Sequence, residues 1–366
     1  MAEQLKELFS KDFIEFIALK TKEYYPSFEA KNFQKTIIND NWKNLELKER
    51  MRLIAVVFND FLPLPYAEQL EILNKVKIDL SYKDSMGLQS MIFQDFVEVF
   101  GLDDYDNSIK ALESFTIDSS SEFAIRQFIL KYEDKTMSQM HTWALSENEH
   151  IRRLATEGCR PRLPWAIALP IFKNDPSKVL EIIEVLKFDK SKYVQKSVAN
   201  NLNDISKDNA QIVIDFVKNN LGQTKDLDWI CKHASRTLLK KGDKQILPLF
   251  GFGDSSHVNI TNLQYHDSLS FGDDFIFDFT LNSEDNLGNL RVEYGIHYKK
   301  ANGSHSKKVF MISQNNINEK EKSFRKKQSF KNMTTRKHYS GEHYISIIIN
   351  GIEKEKGSFY LNDTSN

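Results

Sequence analysis

Cysteine is almost missing from this chain: 366 residues carry two, Cys159 and Cys231. That excludes a disulfide framework and fits a reducing compartment. Long apolar runs are missing too. None approaches the roughly 20 residues that cross a bilayer, so no membrane partner is expected. Residues 1–7, Met-Ala-Glu-Gln-Leu-Lys-Glu, lack the apolar core and cleavage site of an export signal. The expected location is cytoplasmic. There is no glycine-rich phosphate loop, no G-x-S-x-G elbow and no H-E-x-x-H, and the nine histidines show no metal-ligand spacing. The sequence therefore predicts no cofactor and no metal, and any hydrolysis has to run on carboxylates.

Net charge is also small, −1, but it hides an asymmetry. Residues 1–150 carry about nine more acids than bases, and residues 291–356 about nine more bases than acids. A near-neutral total is thus compatible with nucleic acid, provided that the binding surface is local.

Two patterns divide the chain. Residues 1 to about 250 follow the helical apolar period, as in Phe9, Phe13, Phe16, Ile17 and again in Met91, Phe93, Phe96, Val97, Phe100. Asp175-Pro176 reads as a capped helix entry. Three segments align without gaps: Ile151-Arg-Arg-Leu-Ala155, Val194-Gln-Lys-Ser-Val198 and Ile230-Cys-Lys-His-Ala234. Each has an aliphatic residue, a base two later and a small or aliphatic residue four later. Their starts lie 43 and 36 residues apart, around the period of HEAT-type paired-helix repeats. After Leu249-Phe-Gly-Phe-Gly-Asp254 the period becomes two, in Phe275, Phe277, Phe279, Leu281 and in Leu290, Val292, Tyr294, Ile296, Tyr298. Asn302-Gly303 predicts a hairpin with Val309 and Met311 on the return strand, and Ile345, Ile347, Ile349 a strand ending at Asn350-Gly351. The expected architecture is multidomain: an all-α HEAT-like α-solenoid over 1–252, then an all-β antiparallel sandwich over 257–366.

The chemistry concentrates in Glu157-Gly-Cys-Arg-Pro-Arg-Leu-Pro-Trp-Ala166, just after Ile151-Arg152-Arg153. Arg153 and Glu157 share a helix face; Gly158 is expected to end the helix, with Pro161 and Pro164 holding the chain extended and delivering Trp165 beside it. A surface ion pair, worth about 0–1 kcal/mol, uses one acid and one base, whereas Arg152, Arg153, Arg160 and Arg162 supply four guanidiniums. Such charge clusters mark functional sites. For Trp165, burial in a core and an exposed stacking role both stand open. Asp204 and Glu122 read equally well as helix-end acids, and they join Glu157 only if successive inner helices line one groove. The basic stretches holding Lys326, Lys327, Arg336 and Lys337 suit phosphates or simply protect a strand edge.

The 157–166 segment, with Ser197-Val-Ala-Asn-Asn-Leu-Asn-Asp-Ile-Ser-Lys-Asp208, resembles the signature segments of the AlkC-type DNA alkylation repair glycosylases, relatives of the AlkD type. Leu290–Tyr298 and Thr334–Tyr339 resemble the immunoglobulin-like domain that many of them append. The resemblance implies a base excision repair enzyme that hydrolyses the N-glycosidic bond of 3-methyladenine and 3-methylcytosine in duplex DNA, without rotating the lesion into a pocket. It places Trp165, Glu157, Asp204 and Glu122 around the deoxyribose, with Asp204 as the main acid. Arg152, Arg153, Arg160, Arg162 and Lys196, with the C-terminal lysines and Arg336, are expected toward DNA. The implied partner is double-stranded DNA carrying alkylated bases, bound by a monomer. The rival reading is a non-catalytic HEAT-repeat scaffold for DNA or protein.

Overall fold

Helices fill the chain from Lys11 to Leu249 and strands the chain from Asn259 to Asn362, in a computed structural model that describes residues 5–81, 87–332 and 337–363. Two compact units result, 1–213 with 220–234, and 214–219 with 235–366. Among the described residues no helix is long and apolar enough to cross a membrane.

Local chemistry starts the helices. Ser10 caps the helix Lys11–Tyr24 by accepting the Phe13 amide, and Glu46 with Glu49 forms a reciprocal capping box on Leu47–Phe61. The Asp175 carboxylate accepts the Ser177 amide at 3.0 Å at the entry of the helix Ser177–Leu186, whose N-cap position is taken by Pro176, one residue later than expected. The first part of the helical unit packs around a phenylalanine cluster, with Phe33 4.7 Å from Phe58 and Phe93 5.8 Å from Phe115 between ring centres.

The three aligned segments start the apolar faces of helices Glu149–Glu157, Lys192–Ile205 and Lys225–Ala234. These helices pack in a row, the first on the second and the second on the third. Helices Glu133–Ala144 and Ser177–Leu186 pack behind them. Ile151, Val194, Ile230 and, four residues on, Ala155, Val198 and Ala234 are all buried. The repeat is therefore structural, as the HEAT-type reading requires: each aligned aliphatic pair fills the seam between neighbouring helices.

The strands are β1 Asn259–Tyr265, β2 Ser268–Ser270, β3 Asp274–Asn282, β4 Gly288–Lys299, β5 His305–Ile317, β6 Glu321–Ser329, β7 Gly341–Ile349 and β8 Ile352–Asn362. One sheet runs β1-β3-β6 and the other β2-β8-β7-β4-β5. All pairings are antiparallel except β2 with β8. The alternating residues of β3, β4 and β7 form the core between the sheets. On β5 the inward residues are Phe310 and Ile312, while Met311 is exposed. From the Asn302-Gly303 turn onward Ile296 pairs with Lys308 and Tyr294 with Phe310, so the turn's register turns Phe310 inward; the shift at Val292/Glu293 comes only beyond Met311.

Domain limits of 1–252 and 257–366 are proposed from the composition switch at Leu249–Asp254. That switch falls inside the second unit, where helices Arg236–Lys241 and Ile246–Leu249 cluster with the strands. The β7–β8 turn explains part of this. Asn350 and Gly351 have φ of 47° and 78°, the two-residue hairpin geometry that asparagine and glycine permit. A Cβ on Gly351 would stand 2.6 Å from the Gly242 Cα. Gly351→Ala therefore adds a left-handed alanine, about 1–2 kcal/mol, to a steric clash of about 1–3 kcal/mol. The expected loss of about 2–5 kcal/mol is measurable as a shifted denaturant midpoint.

Candidate active site

The helix Glu149–Glu157 ends at Gly158, but not through a left-handed cap: Gly158 has helical φ −62° and ψ −35°. Its lack of a side chain is needed for packing, because a Cβ there would meet Ile125 Cγ2 and Met140 Cε at 2.7 Å. Beyond it the chain is not held extended. Residues 159–169 form a string of tight turns, closed by the Leu169 amide donating to the Pro161 carbonyl at 3.1 Å. Proline suits turn corners as well as extended chain, which is how the expectation of extension failed.

Trp165 sits on this loop with φ +64° and is 65% exposed. The open choice for this indole thus resolves as surface. A left-handed tryptophan costs about 1–3 kcal/mol and persists only where its surroundings impose it. Here Lys48 Nζ donates to the Trp165 carbonyl, and Arg126 Nε donates to the Ile167 carbonyl at 2.7 Å. Arg126 is fully buried and also gives Nη1 to the carbonyls of Gly158 and Arg160. That burial pulls its guanidinium down to about 10.

Three carboxylates and two guanidiniums alternate beneath the loop. Arg153 Nη1 contacts Glu122, whose Oε2 also takes the Ser120 hydroxyl at 2.6 Å. Arg153 Nη2 lies 3.5 Å from Glu157 Oε1. Arg160 donates Nη1 to the same Glu157 oxygen at 2.6 Å, and Nε to Asp204 Oδ2 at 2.8 Å. Glu157 is 5% exposed and Asp204 1%. Burial works against charge on Arg153 and Arg160, yet their carboxylate neighbours outweigh it and hold both guanidiniums above the ordinary arginine range. The arginines are therefore the fixed positive links between acids that would otherwise repel.

The three acids are not equivalent. Both Glu157 oxygens are engaged, Oε2 by the Ser197 hydroxyl at 2.6 Å. Asp204 Oδ1 is held by Lys207 at 2.8 Å, a lysine whose side chain is 37% exposed. Glu122 Oε1 accepts no hydrogen bond among the described residues. The oxygens not held by the buried arginines are therefore Asp204 Oδ1, on the half-exposed Lys207, and Glu122 Oε1. Glu157 has no oxygen to spare. Among the described residues no cluster of three or more histidine, cysteine or carboxylate side chains could hold a metal ion.

The chain as a whole has counterparts among known proteins. A family model described as DNA alkylation repair enzyme matches residues 89–241, and one described as the C-terminal Ig-like domain of the uncharacterised protein YhaZ matches 259–363. The chain is 44% identical to the uncharacterized protein YhaZ of Bacillus subtilis over 98% of its own length and 99% of that protein. It superposes on the Pseudomonas fluorescens alkylpurine DNA glycosylase AlkC, solved bound to DNA containing an abasic site analog. The TM-score is 0.92 and the identity 35%, over 98% of this chain and 100% of that one. The chain belongs to the AlkC-type family of DNA alkylation repair proteins. Its fold is the family's, a HEAT-like helical region followed by an immunoglobulin-like domain. The two segments that resemble AlkC-type signatures supply part of the array, Glu157 and Arg160 from one and Asp204 from the other, while Glu122 and Arg153 come from outside them.

The basic residues expected toward DNA fare differently. Arg152 is bound bidentately to Asp189 and to the Ser146 and Glu147 carbonyls. Arg160 is buried between two acids, and Arg162 is paired with Asp208 through two hydrogen bonds of 2.9 and 2.6 Å. Lys196 is exposed. Lys326 and Lys327 lie on β6, at the edge of its sheet, with Lys327 on Asp274 at 2.8 Å. Lys337 is exposed, and Arg336 lies outside the described residues. The structure brings Arg153 and Arg160 to the carboxylates and leaves Arg152 and Arg162 in separate ion pairs.

Sequence reasoning assigned no role to Arg126, Ser197 or Lys207, though all three stand in segments it singled out. A signal existed for Ser197: with Asn201 and Asp204 it follows a four-plus-three spacing, which stacks polar groups on one helix face. Asn201 is fully buried and donates to the Thr156 carbonyl at 2.7 Å. Arg126 had no such signal, since its acceptors are backbone carbonyls 32 and more residues away.

Proposed function

We propose that this chain is a metal-independent DNA glycosylase that hydrolyses the N-glycosidic bond of cationic N-alkylated bases, chiefly 3-methyladenine and 3-methylcytosine, in duplex DNA and without extruding the lesion. The observation that carries the reading is the continuous array Glu122–Arg153–Glu157–Arg160–Asp204 lying under a loop that presents an exposed tryptophan.

Such an array suits a substrate that is already charged. When the C1′–N bond breaks, its electron pair returns to the base and cancels the positive charge there, so no general acid is needed. The sugar becomes an oxocarbenium cation, which a nearby carboxylate stabilises without reorganising. Water then adds to C1′ and gives its proton to a carboxylate. Asp204 is assigned the sugar-facing or water-orienting role, through the oxygen that Lys207 covers. Glu122 adds field from its open oxygen. Glu157, with both oxygens already engaged by protein groups, is a positioning residue that spaces Arg153 and Arg160. The Trp165 ring face attracts the cationic base or sugar. Arg152, Arg153 and Arg160 are all engaged by carboxylates and none is free for a phosphate; Lys196 suits that role better.

Mass analysis of the bases released from methylated duplex DNA by the purified chain tests this, with free 3-methyladenine as the expected product. The scaffold reading draws on one observation, that Glu157 and Asp204 are already neutralised inside the protein. Tight binding of duplex with no released base would establish it. Trp165→Ala is expected to slow release about tenfold, the scale of one cation–π or stacking contact, with an unchanged melting temperature because the ring is exposed.

A further inference from the structure

The aligned helices carry a second regularity that the proposed chemistry does not use. Immediately before each aligned aliphatic residue stands a ring: His150, Tyr193 and Trp229. Three residues after each ring stands a base: Arg153, Lys196 and Lys232. Residues three apart share a helix face, so each of three neighbouring helices presents one ring and one base together.

The rings are held at the surface. Tyr193 is 39% exposed and Trp229 43%. His150 meets the Tyr193 ring edge-on at 5.7 Å, and the Arg153 guanidinium lies 4.9 Å over the same ring. His233 stacks on Trp229 at 4.9 Å and 11°, backing one face of the indole. One exposed aromatic residue needs no explanation. Rings at one repeat position, each with a base a turn later, form a pattern that core packing does not require.

The rungs differ in what their bases are doing. Arg153 is consumed by Glu122 and Glu157, so the His150 rung belongs to the catalytic array. Lys196 and Lys232 are exposed. The acids closest in sequence to the Trp229 rung are engaged elsewhere: Asp226 by Lys192, and Asp228 by the Gly222 amide.

We propose that Tyr193 with Lys196, and Trp229 with Lys232, form a two-rung site for the DNA strand flanking the lesion, each ring lying on a deoxyribose or base face and each ammonium on a phosphate. The inference rests on the reading of the chain as a DNA enzyme and adds a direction to it: the strand leaves the carboxylates along the row of helices toward Trp229. Packed helices lie roughly 8–10 Å apart and a strand advances about 3.4 Å per nucleotide, so neighbouring rungs engage nucleotides about two to three apart.

The test uses the full chain and a duplex carrying a stable abasic-site analogue, with affinity followed by fluorescence anisotropy across a salt series. Lys196→Ala with Lys232→Ala is expected to make the slope of log affinity against log salt shallower by about two, since each lost phosphate contact removes about 0.9. Trp229→Ala is expected to weaken binding about tenfold with the slope unchanged, and Trp229→Phe to restore most of it, because stacking releases no counterions. Wild-type slope and affinity in all these variants, alongside base release by the unaltered chain, would overturn the ladder and leave the glycosylase reading standing. Failure of the unaltered chain to bind duplex at all would overturn both.

Discussion

Asp204→Asn is expected to abolish release of 3-methyladenine, lowering the single-turnover rate at least about a hundredfold, while affinity for an abasic-analogue duplex stays within a few-fold of the unaltered chain. The magnitude is that of removing one electrostatic or general-base group from a reacting centre. Asparagine is the informative substitution because its one carbonyl oxygen can still accept from buried Arg160 while the charge is removed; its NH2 then faces Lys207, a half-exposed lysine that can turn to solvent. Alanine would confound the result by leaving a buried guanidinium short of a partner. The same change at Glu157 gives a different signature. Glutamine there still fills the space between Ser197 and Arg160, so the expected loss is smaller and arises from misplacement of Arg153 and Arg160. A chain in which Asp204→Asn releases base at the normal rate would remove Asp204 from the chemistry.

Arg160→Met is expected to produce the largest loss of stability of any single change at the site. It strips both Glu157 and Asp204 of their main partner while leaving the two acids buried side by side. Breaking a buried pair from one side costs about 3–5 kcal/mol, which for a unit of this size lowers the melting temperature by roughly 6–20 °C. Calorimetry of the helical unit's transition reads it. Adding Glu157→Gln and Asp204→Asn to Arg160→Met is expected to recover most of the loss, because the uncompensated charges go with their partner. Non-additivity of this kind is the mark of one network. A fall of less than about 2 °C for Arg160→Met alone would mean that water or Lys207 supplies the missing charge.

Much of the fold was legible because its signals are local. The helical period through residue 249, the helix entry at Asp175-Pro176 and the turns at Asn302-Gly303 and Asn350-Gly351 depend on residues within a few positions of one another. The repeat was legible for the same reason three times over. What failed was also local in origin. Gly158 and Pro161 carry more than one backbone meaning, and neighbours 33 and 18 residues back, Ile125 and Met140, decided which applied to Gly158. Val309 and Met311 do lie on the return strand, but which of its residues face inward is fixed by the turn's register, which sets Phe310 opposite Tyr294.

The sequence by itself determined two architectures, the place where one gives way to the other, and the short segments in which the acids, arginines and tryptophan are concentrated. Spacing along the chain carries that much, since helix and strand periods are set by near neighbours. Only the tertiary structure decided that Arg160 belongs to Glu157 and Asp204 rather than to a phosphate, that Glu157 has no oxygen left for a substrate, and that Trp165 faces outward. Arg160 and Asp204 are 44 residues apart, and a guanidinium can satisfy either a carboxylate or a phosphate. Which one it meets depends on the packing of one helix against the next, and no local pattern records that.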